Sequence, residues 1–588
     1  MSESVPRSSS QSLSDWVEDV ARLTRPSRVT WCDGSQDERR RLAEQAVNDS
    51  ILIPLNKTRL PGCYLHRSRQ DDIARIEDTA FVCTASREEA GPTNNWRAPD
   101  EAYLELSSRA RDSMRGRTMY VMPYLMGPPN SEFARIGVEL TDSLYAVLGM
   151  RIMTRMGSVA LEALNGSTNF NHGVHCTLDV DPKRRLICHF PDDNAIWSMG
   201  SNYGTSALLS RESFGLRIAS KLARKEGWLA EHMTILGLEN PQGEIWYIAA
   251  AFPDGCGKTS LSMLTPPPAL GNWRVHTVGD DVAWLRIGKD GRLWAVNPEA
   301  GCFSAAPGTS GHSNRNLMCA VERNTLFTNV ALTPDNEVWW EGIGQAPPPG
   351  TLDWQGRLFA PYSTTPGAHS SSHFVTPVSN NPALSSHHND PQGVPISAIL
   401  FGARRSNTVP LVAEAFDWKH GVYLGASMGS EAPAAIGDTR KVRRDPMAMA
   451  SLCGYDLGSY LGYWATLGRR LRRPPKIYMV NWFRKAVDGS YLWPGYRENL
   501  RILQWIADRL TGRVKAQESP VGLLPDVSDV NLEGLNLPID RLRAALAIKA
   551  DEWSAELSSL EEFVARLSSD LPHELEVQHQ ATAAAFAL

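Results

Sequence analysis

Lys258 and Thr259 close the run Phe252-Pro253-Asp254-Gly255-Cys256-Gly257-Lys258-Thr259-Ser260, where two glycines stand just before a cation and a hydroxyl. Such a run can cradle phosphate. The glycines let backbone N–H groups approach the oxygens, the lysine neutralises their charge, and the threonine hydroxyl can reach a metal ion. The usual pattern also has a glycine six residues before the lysine, where this chain carries Phe252. A second candidate is the adjacent pair Asp280 and Asp281, set in the apolar run Val275 to Trp284. A hard divalent cation bridging phosphates needs oxygen ligands from a neighbouring strand, and aspartate supplies them. The competing reading is a turn with solvated acids, but two carboxylates inside an apolar run are costly to bury without a counter-charge.

The flanking residues say what must hold these groups. Ile245 to Ala251 reads as a buried strand leading into the loop, and Leu261 to Leu264 can open a helix after it. Val275 to Trp284 reads as a second strand carrying the acid pair, and residues 396 to 402 as a third running into Arg404-Arg405. His232 precedes the apolar Ile235-Leu236-Gly237; alone it reads as a satisfied core residue, and as a ligand only with further support. His369, His373, His387 and His388 lie in a stretch rich in Pro, Ser, Gly and His, residues 345 to 395, which reads as a long surface excursion. Their spacing matches no zinc pattern. An amphipathic helix is expected around Leu216 to Glu226, and helices from about 537 to 575.

A length of 588 residues is too great for one core and implies two large lobes. Apolar content of 42% and charged content of 21% are those of an ordinary globular protein. A net charge of −5 without a long basic block argues against nucleic acid as a partner. No apolar run approaches the roughly 18 residues that span a membrane. The Ser-rich start reads as a disordered lead over residues 1–15. Nine scattered cysteines without a CxxC pair fit reduced thiols in the cytoplasm and give no zinc framework.

Longer motifs carry a family resemblance. Gly116-Arg117-Thr118-Met119-Tyr120-Val121-Met122-Pro123, Gly137 to Ser143, Met150 to Gly157, Asn324 to Val330, Asn481-Trp482-Phe483-Arg484-Lys485 and Leu492-Trp493-Pro494-Gly495-Tyr496 together resemble GTP-dependent phosphoenolpyruvate carboxykinase. The resemblance runs from about residue 60 to the C-terminal helices. It implies an α/β, two-lobed phosphoenolpyruvate carboxykinase fold: a substrate-binding lobe over 16–227, and a mononucleotide-binding lobe over 228–588 that contains the P-loop and a mobile lid near 427–440. Members transfer the γ-phosphoryl of GTP to the enolate left when oxaloacetate loses carbon dioxide.

Residue by residue, the resemblance implies His232 and Asp281 as ligands of an active-site Mn²⁺. Gly255, Gly257, Lys258 and Thr259 would hold the phosphates, and Thr259 the nucleotide's Mg²⁺ or Mn²⁺, with Asp280 beside it. Cys256 matches a reactive phosphate-loop thiol, and Arg404 an arginine that contacts the transferred phosphate. Phe483, Tyr491, Tyr496 and Asn499 match the guanine pocket, where aromatic faces sandwich the base. Arg75 matches the arginine that holds the substrate carboxylate, and Tyr203 an aromatic beside the metal. GTP or GDP and a small carboxylate are the expected partners, and a monomer the expected state.

Departures from the family pattern are specific. Glu212 replaces a metal-ligating lysine, and His373 an arginine that touches substrate. Asp254, Gly255 and Ser260 alter the phosphate loop, and Gly429 stands where the lid carries arginine. A carboxylate at 212 cancels part of the metal's charge, and a histidine at 373 cannot reproduce a bidentate carboxylate clamp. These changes favour a diverged paralogue acting as a GTP-dependent small-molecule kinase. Its acceptor would be a hydroxy or enol carboxylate other than oxaloacetate, with hydroxy amino acids among the candidates, and Glu212 would serve substrate or metal. The alternative is an authentic carboxykinase making phosphoenolpyruvate, CO₂ and GDP from oxaloacetate and GTP. A nucleotide-binding protein without catalysis is a third reading.

Overall fold

In the computed structural model the apolar run Ile245–Ala251 is a strand whose last four residues are buried. It pairs in parallel with Val394–Ala403, which pairs in parallel with Lys476–Asn481. On its other side it runs antiparallel to Met233–Glu239, itself antiparallel to Arg274–Gly279. Alternating these directions brings the start of Met233–Glu239 and the ends of the other four strands to one edge of the sheet. In α/β folds this carboxyl edge is where ligands bind. The strands belong to an eleven-stranded mixed sheet, whose core includes Leu236, Ile248, Phe252, Leu400, Tyr478 and Trp505.

The structure describes residues 12–72, 77–253, 255–360, 364–431, 442–567 and 572–587. They divide into two compact units. The second holds the sheet just described and comprises Gly91–Thr93, Ala223–Asn297 and Ser385–Leu588. The first comprises Met1–Ala90, Asn94–Leu222 and Pro298–Leu384, so residues 298–384 join it although they follow the expected lobe boundary at 227.

The first unit is built on an eight-stranded mixed sheet that includes Arg28–Trp31, Thr118–Met126, Arg135–Thr141 and Asn171–Cys176, in that order. A five-stranded sheet accompanies it, running Gly301–Ala305, His373–Pro377, Leu326–Thr328, Tyr64–His66, Leu52–Pro54. Its core gathers Trp16, Leu106, Met119, Val138, Val174 and Trp197.

Three expectations need correction. Helix Leu13–Thr24 starts inside the expected lead, because Ser12 caps it by accepting from the Asp15 amide and Trp16 anchors it in the core; residues 1–11 lie outside the described residues. Asp280 and Asp281 do not sit inside one strand but in the bend between Arg274–Gly279 and Ala283–Ile287. The stretch 345–395 is not a surface excursion throughout, since His373–Pro377 is a strand with four of five residues buried. Its polar composition hid the alternation His373, Phe374, Val375, Thr376. Of the expected lid, residues 432–440 lie outside the described residues; Gly429–Glu431 pairs antiparallel with Val442–Arg444.

Candidate active site

The phosphate loop turns on two glycines in the left-handed region, Gly255 at φ +71° and Gly257 at φ +96°, the latter capping helix Lys258–Ser262. No neighbouring atom limits either position, so backbone conformation is what requires glycine there. Phe252 occupies the place of the usual first glycine for a packing reason. Its side chain is buried in the core, and a Cβ on Gly402 would lie 2.0 Å from its ring. The ring therefore lies against bare backbone of the neighbouring parallel strand. Cys256, expected to be a reactive thiol, is fully buried in this apolar core. Asp254 lies outside the described residues.

Next to the loop stand His232, Asp281 and Lys258, all drawn from the same sheet edge. His232 Nε2 lies 3.2 Å from Asp281 Oδ1, and its Nδ1 lies 3.2 Å from the Ala448 carbonyl oxygen. That oxygen can only accept, so Nδ1 carries hydrogen and donates, which turns Nε2 toward Asp281. Lys258 Nζ forms an ion pair with the same Oδ1. Asp280 is turned the other way, accepting from Thr259 Oγ1 at 3.3 Å and Ser262 Oγ at 3.1 Å. His232, Asp280 and Asp281 are all buried, each under 9% exposed. Among the described residues no group of three or more His, Cys, Asp or Glu is arranged to hold a metal ion, so His232 and Asp281 form a pair only. Ser262 and the Ala448 carbonyl were missed from sequence. Ser262 is one helical turn beyond Thr259 and could have been read; Ala448 is 216 residues from His232 and leaves no local signal.

Arg404 follows strand Val394–Ala403 and donates from Nη1 to the Gly255 carbonyl at 2.9 Å. Its guanidinium also lies 4.5 Å from the ring centroid of Phe483, just beyond strand Lys476–Asn481. Phe483 meets Tyr491 edge to face at 6.2 Å, and Lys485 covers Tyr491 at 5.4 Å. Tyr491 and Tyr496 are about half exposed, at 47% and 52%. Asn499 is buried, and its Oδ1 already accepts from the Trp493 indole at 2.9 Å. The structure thus brings Phe483 and Tyr491 together with Arg404. The next residue, Arg405, missed as a site residue from sequence, is buried and donates from both terminal guanidinium nitrogens to Glu556. Arg444 donates to Glu556 as well, at 2.6 Å. Burial alone would raise the Glu556 carboxyl, but the two arginines outweigh it and hold it at about 2.

Tyr203, Glu212 and His373, expected on the substrate side, lie in the first unit. Tyr203 is buried, donates to the Ser371 carbonyl and meets His373 edge to face at 5.0 Å. The loop before it is tied down by Asp72, which accepts from Ser201 Oγ and the Asn202 amide, each at 2.7 Å. His373 is sandwiched rather than open. It stacks on Phe303 at 4.5 Å, and its Nε2 lies 3.1 Å from the Tyr145 hydroxyl. Burial pushes its pKa down to about 3, so it is a neutral wall and not a cation. Glu212 is half-buried in the first turn of the π-helix Ser210–Ile218, where Phe214 N reaches back five residues to the Leu209 carbonyl. This wide turn replaces the start of the expected amphipathic helix; the α-helix proper is Ala219–Glu226. Arg75 lies outside the described residues.

Residues 15–224 match the family model for the phosphoenolpyruvate carboxykinase N-terminal domain, and residues 228–585 the model for its C-terminal P-loop domain. A phosphoenolpyruvate carboxykinase [GTP] of Anaeromyxobacter sp. (strain K) is 52% identical over 569 residues, 97% of this chain and 96% of the relative. That of Chlamydia felis (strain Fe/C-56) is 47% identical, and that of Chlamydia trachomatis serovar D (strain ATCC VR-885 / DSM 19411 / UW-3/Cx) 45%, each over 96% of both chains. Identity of this extent to proteins of that name overturns the expectation of a kinase for another acceptor, because a few changed side chains do not outweigh a match along nearly the whole chain.

Proposed function

Because this chain belongs to the GTP-dependent phosphoenolpyruvate carboxykinase family, we propose that it converts oxaloacetate and GTP to phosphoenolpyruvate, CO₂ and GDP. In that reaction the bond to the departing carboxylate breaks and its electron pair forms the enolate. The enolate oxygen then takes the γ-phosphoryl, and GDP leaves. The observation that carries the reading is the meeting of Lys258, Asp281 and His232 beside the phosphate loop.

Phosphoryl transfer asks the protein mainly for position and charge. Gly255, Gly257 and Lys258 hold the phosphates, Arg404 faces them from the Gly255 carbonyl, and Phe483, Tyr491, Tyr496 and Asn499 form the guanine pocket. The donor set of His232 and Asp281 fits a divalent cation. Two ligands of one octahedral ion stand about 3 Å apart, close to the 3.2 Å found, and the Ala448 carbonyl orients the imidazole as an outer-shell acceptor does. His232 and Asp281 would hold Mn²⁺, and Thr259 with Asp280 the nucleotide's metal. A bound divalent cation supplies positive charge where the enolate develops. Arg75, Tyr203, Glu212 and His373 are assigned to the oxaloacetate side. Within the family the chain is a diverged paralogue, in which Glu212 and neutral His373 lower the positive charge met by oxaloacetate without changing the substrate. It acts as a cytoplasmic monomer. Among the described residues no helix is long and apolar enough to cross a membrane.

The test is GTP-dependent consumption of oxaloacetate by the purified chain with Mn²⁺. Phosphoenolpyruvate formed with GTP supports the reading, and loss of oxaloacetate at the same rate without GTP sinks it.

A further inference from the structure

We propose that the first unit carries a second binding site, for a small organic anion with an apolar body, in a cavity whose charged wall is Arg39 and Arg151. The cavity measures about 380 Å³, within the roughly 300–1,000 Å³ of small-molecule sites. Every described residue around it belongs to the first unit, and none of the described residues assigned above to substrate, metal or nucleotide lines it.

Charge balance points to an anion. Arg151 is 7% exposed and donates to Glu38 Oε2 at 2.9 Å and to the carbonyls of Gly34 and Ser35 at 2.9 and 2.6 Å. Its Nε is buried without a hydrogen-bond partner. Glu38 therefore offsets one guanidinium, but Arg39 brings a second. Arg39 donates to the neutral Asn324 Oδ1 at 2.9 Å, and among the described residues no carboxylate pairs with it. Among the described residues no Asp or Glu lines the cavity. The guanidiniums are close enough that, after burial, Arg39 is among the influences lowering the Arg151 pKa.

Arg39 is also held in place. Gly62, at φ +69°, lies so close that a Cβ there would stand 2.4 Å from Asn324 Oδ1. Glycine at this position leaves room for the amide that fixes the guanidinium. A positioned arginine fork suits a carboxylate or phosphate head. Leu52, Leu148, Ile152 and Leu326 line the rest of the cavity and suit an apolar body.

Calorimetric titration of the full chain with phenyl phosphate, benzoate and benzyl alcohol tests the site. Arg39→Ala is the test variant, and Arg404→Ala controls for anions held at the phosphate loop. At least one anion should bind, with benzyl alcohol weaker by roughly tenfold or more. Arg39→Ala should weaken that anion by a similar factor while Arg404→Ala retains it. Tighter binding of phenyl phosphate assigns a phosphate head, and tighter binding of benzoate a carboxylate. Binding of neither anion, equal binding of the alcohol, or unchanged affinity in a folded Arg39→Ala protein would overturn the proposal.

Discussion

His232 Nε2 and Asp281 Oδ1 stand 3.2 Å apart although 49 residues separate them in sequence. Met233–Glu239 lies between Ile245–Ala251 and Arg274–Gly279 and runs antiparallel to both, which explains the meeting. One residue precedes the first strand at the same edge where the other follows the last paired one. Asp281→Asn and His232→Gln should each lower Mn²⁺ affinity by roughly tenfold or more, measured by electron paramagnetic resonance titration. Unchanged affinity in both variants would remove the pair from the metal site.

Phe252 and Gly402 share one space. Gly402→Ala should cost about 1–3 kcal/mol by overpacking, read as a lower urea midpoint. Phe252→Gly restores the usual glycine of a phosphate loop yet should weaken both stability and GTP binding, because the loop loses its buried anchor. A Phe252→Gly protein with tighter GTP binding would show that the ring is a defect and not a support.

Phe483 lies between Arg404 and Tyr491. Truncation to alanine should cost about 1–3 kcal/mol of GTP binding, the usual worth of a base stacked on an aromatic ring. GTP should also outcompete ATP. Equal calorimetric affinities for the two nucleotides would dismiss the guanine-pocket assignment.

Burial depresses several histidines: His189 and His373 to about 3, and His66, His172 and His420 to about 4. In the unfolded chain each takes a proton near pH 6.5, while in the folded chain each stays neutral until about 3 to 4. The unfolded state therefore binds more protons as pH falls from 6.5, and stability falls with it. The loss approaches about 1.4 kcal/mol per histidine for each pH unit below 6.5. Urea midpoints should drop steeply between pH 6.5 and 4.5; a flat profile there would contradict neutral burial.

What could be read from the sequence was local. The strand Ile245–Ala251, the glycines at 255 and 257, and Lys258-Thr259 are contiguous, so turn chemistry and apolar patterning exposed them. The strand before Arg404 was legible for the same reason. The return of residues 298–384 to the first unit was not, because nothing in His373–Pro377 announces that its partners are Gly301–Ala305 and Leu326–Thr328. Nor was the ion pair of Lys258 with Asp281, or the clasp of Arg405 and Arg444 on Glu556, since charge partners far apart in sequence leave no periodic mark. Glu212 and His373 taught the opposite lesson. Their side-chain types were read correctly, but a buried, neutral histidine is part of a packed wall, and its chemistry cannot be inferred from a lost charge alone.

Phosphoenolpyruvate and CO₂ measured together from oxaloacetate and GTP, with Lys258→Ala beside the unaltered chain, decide whether the protein is a carboxykinase. Both products should form in equal amounts. Lys258→Ala should lose about 10²–10³ in rate, the usual cost of removing one charge contact at a transferring group. CO₂ without phosphoenolpyruvate, or GTP turnover that leaves oxaloacetate intact, would contradict carboxykinase activity.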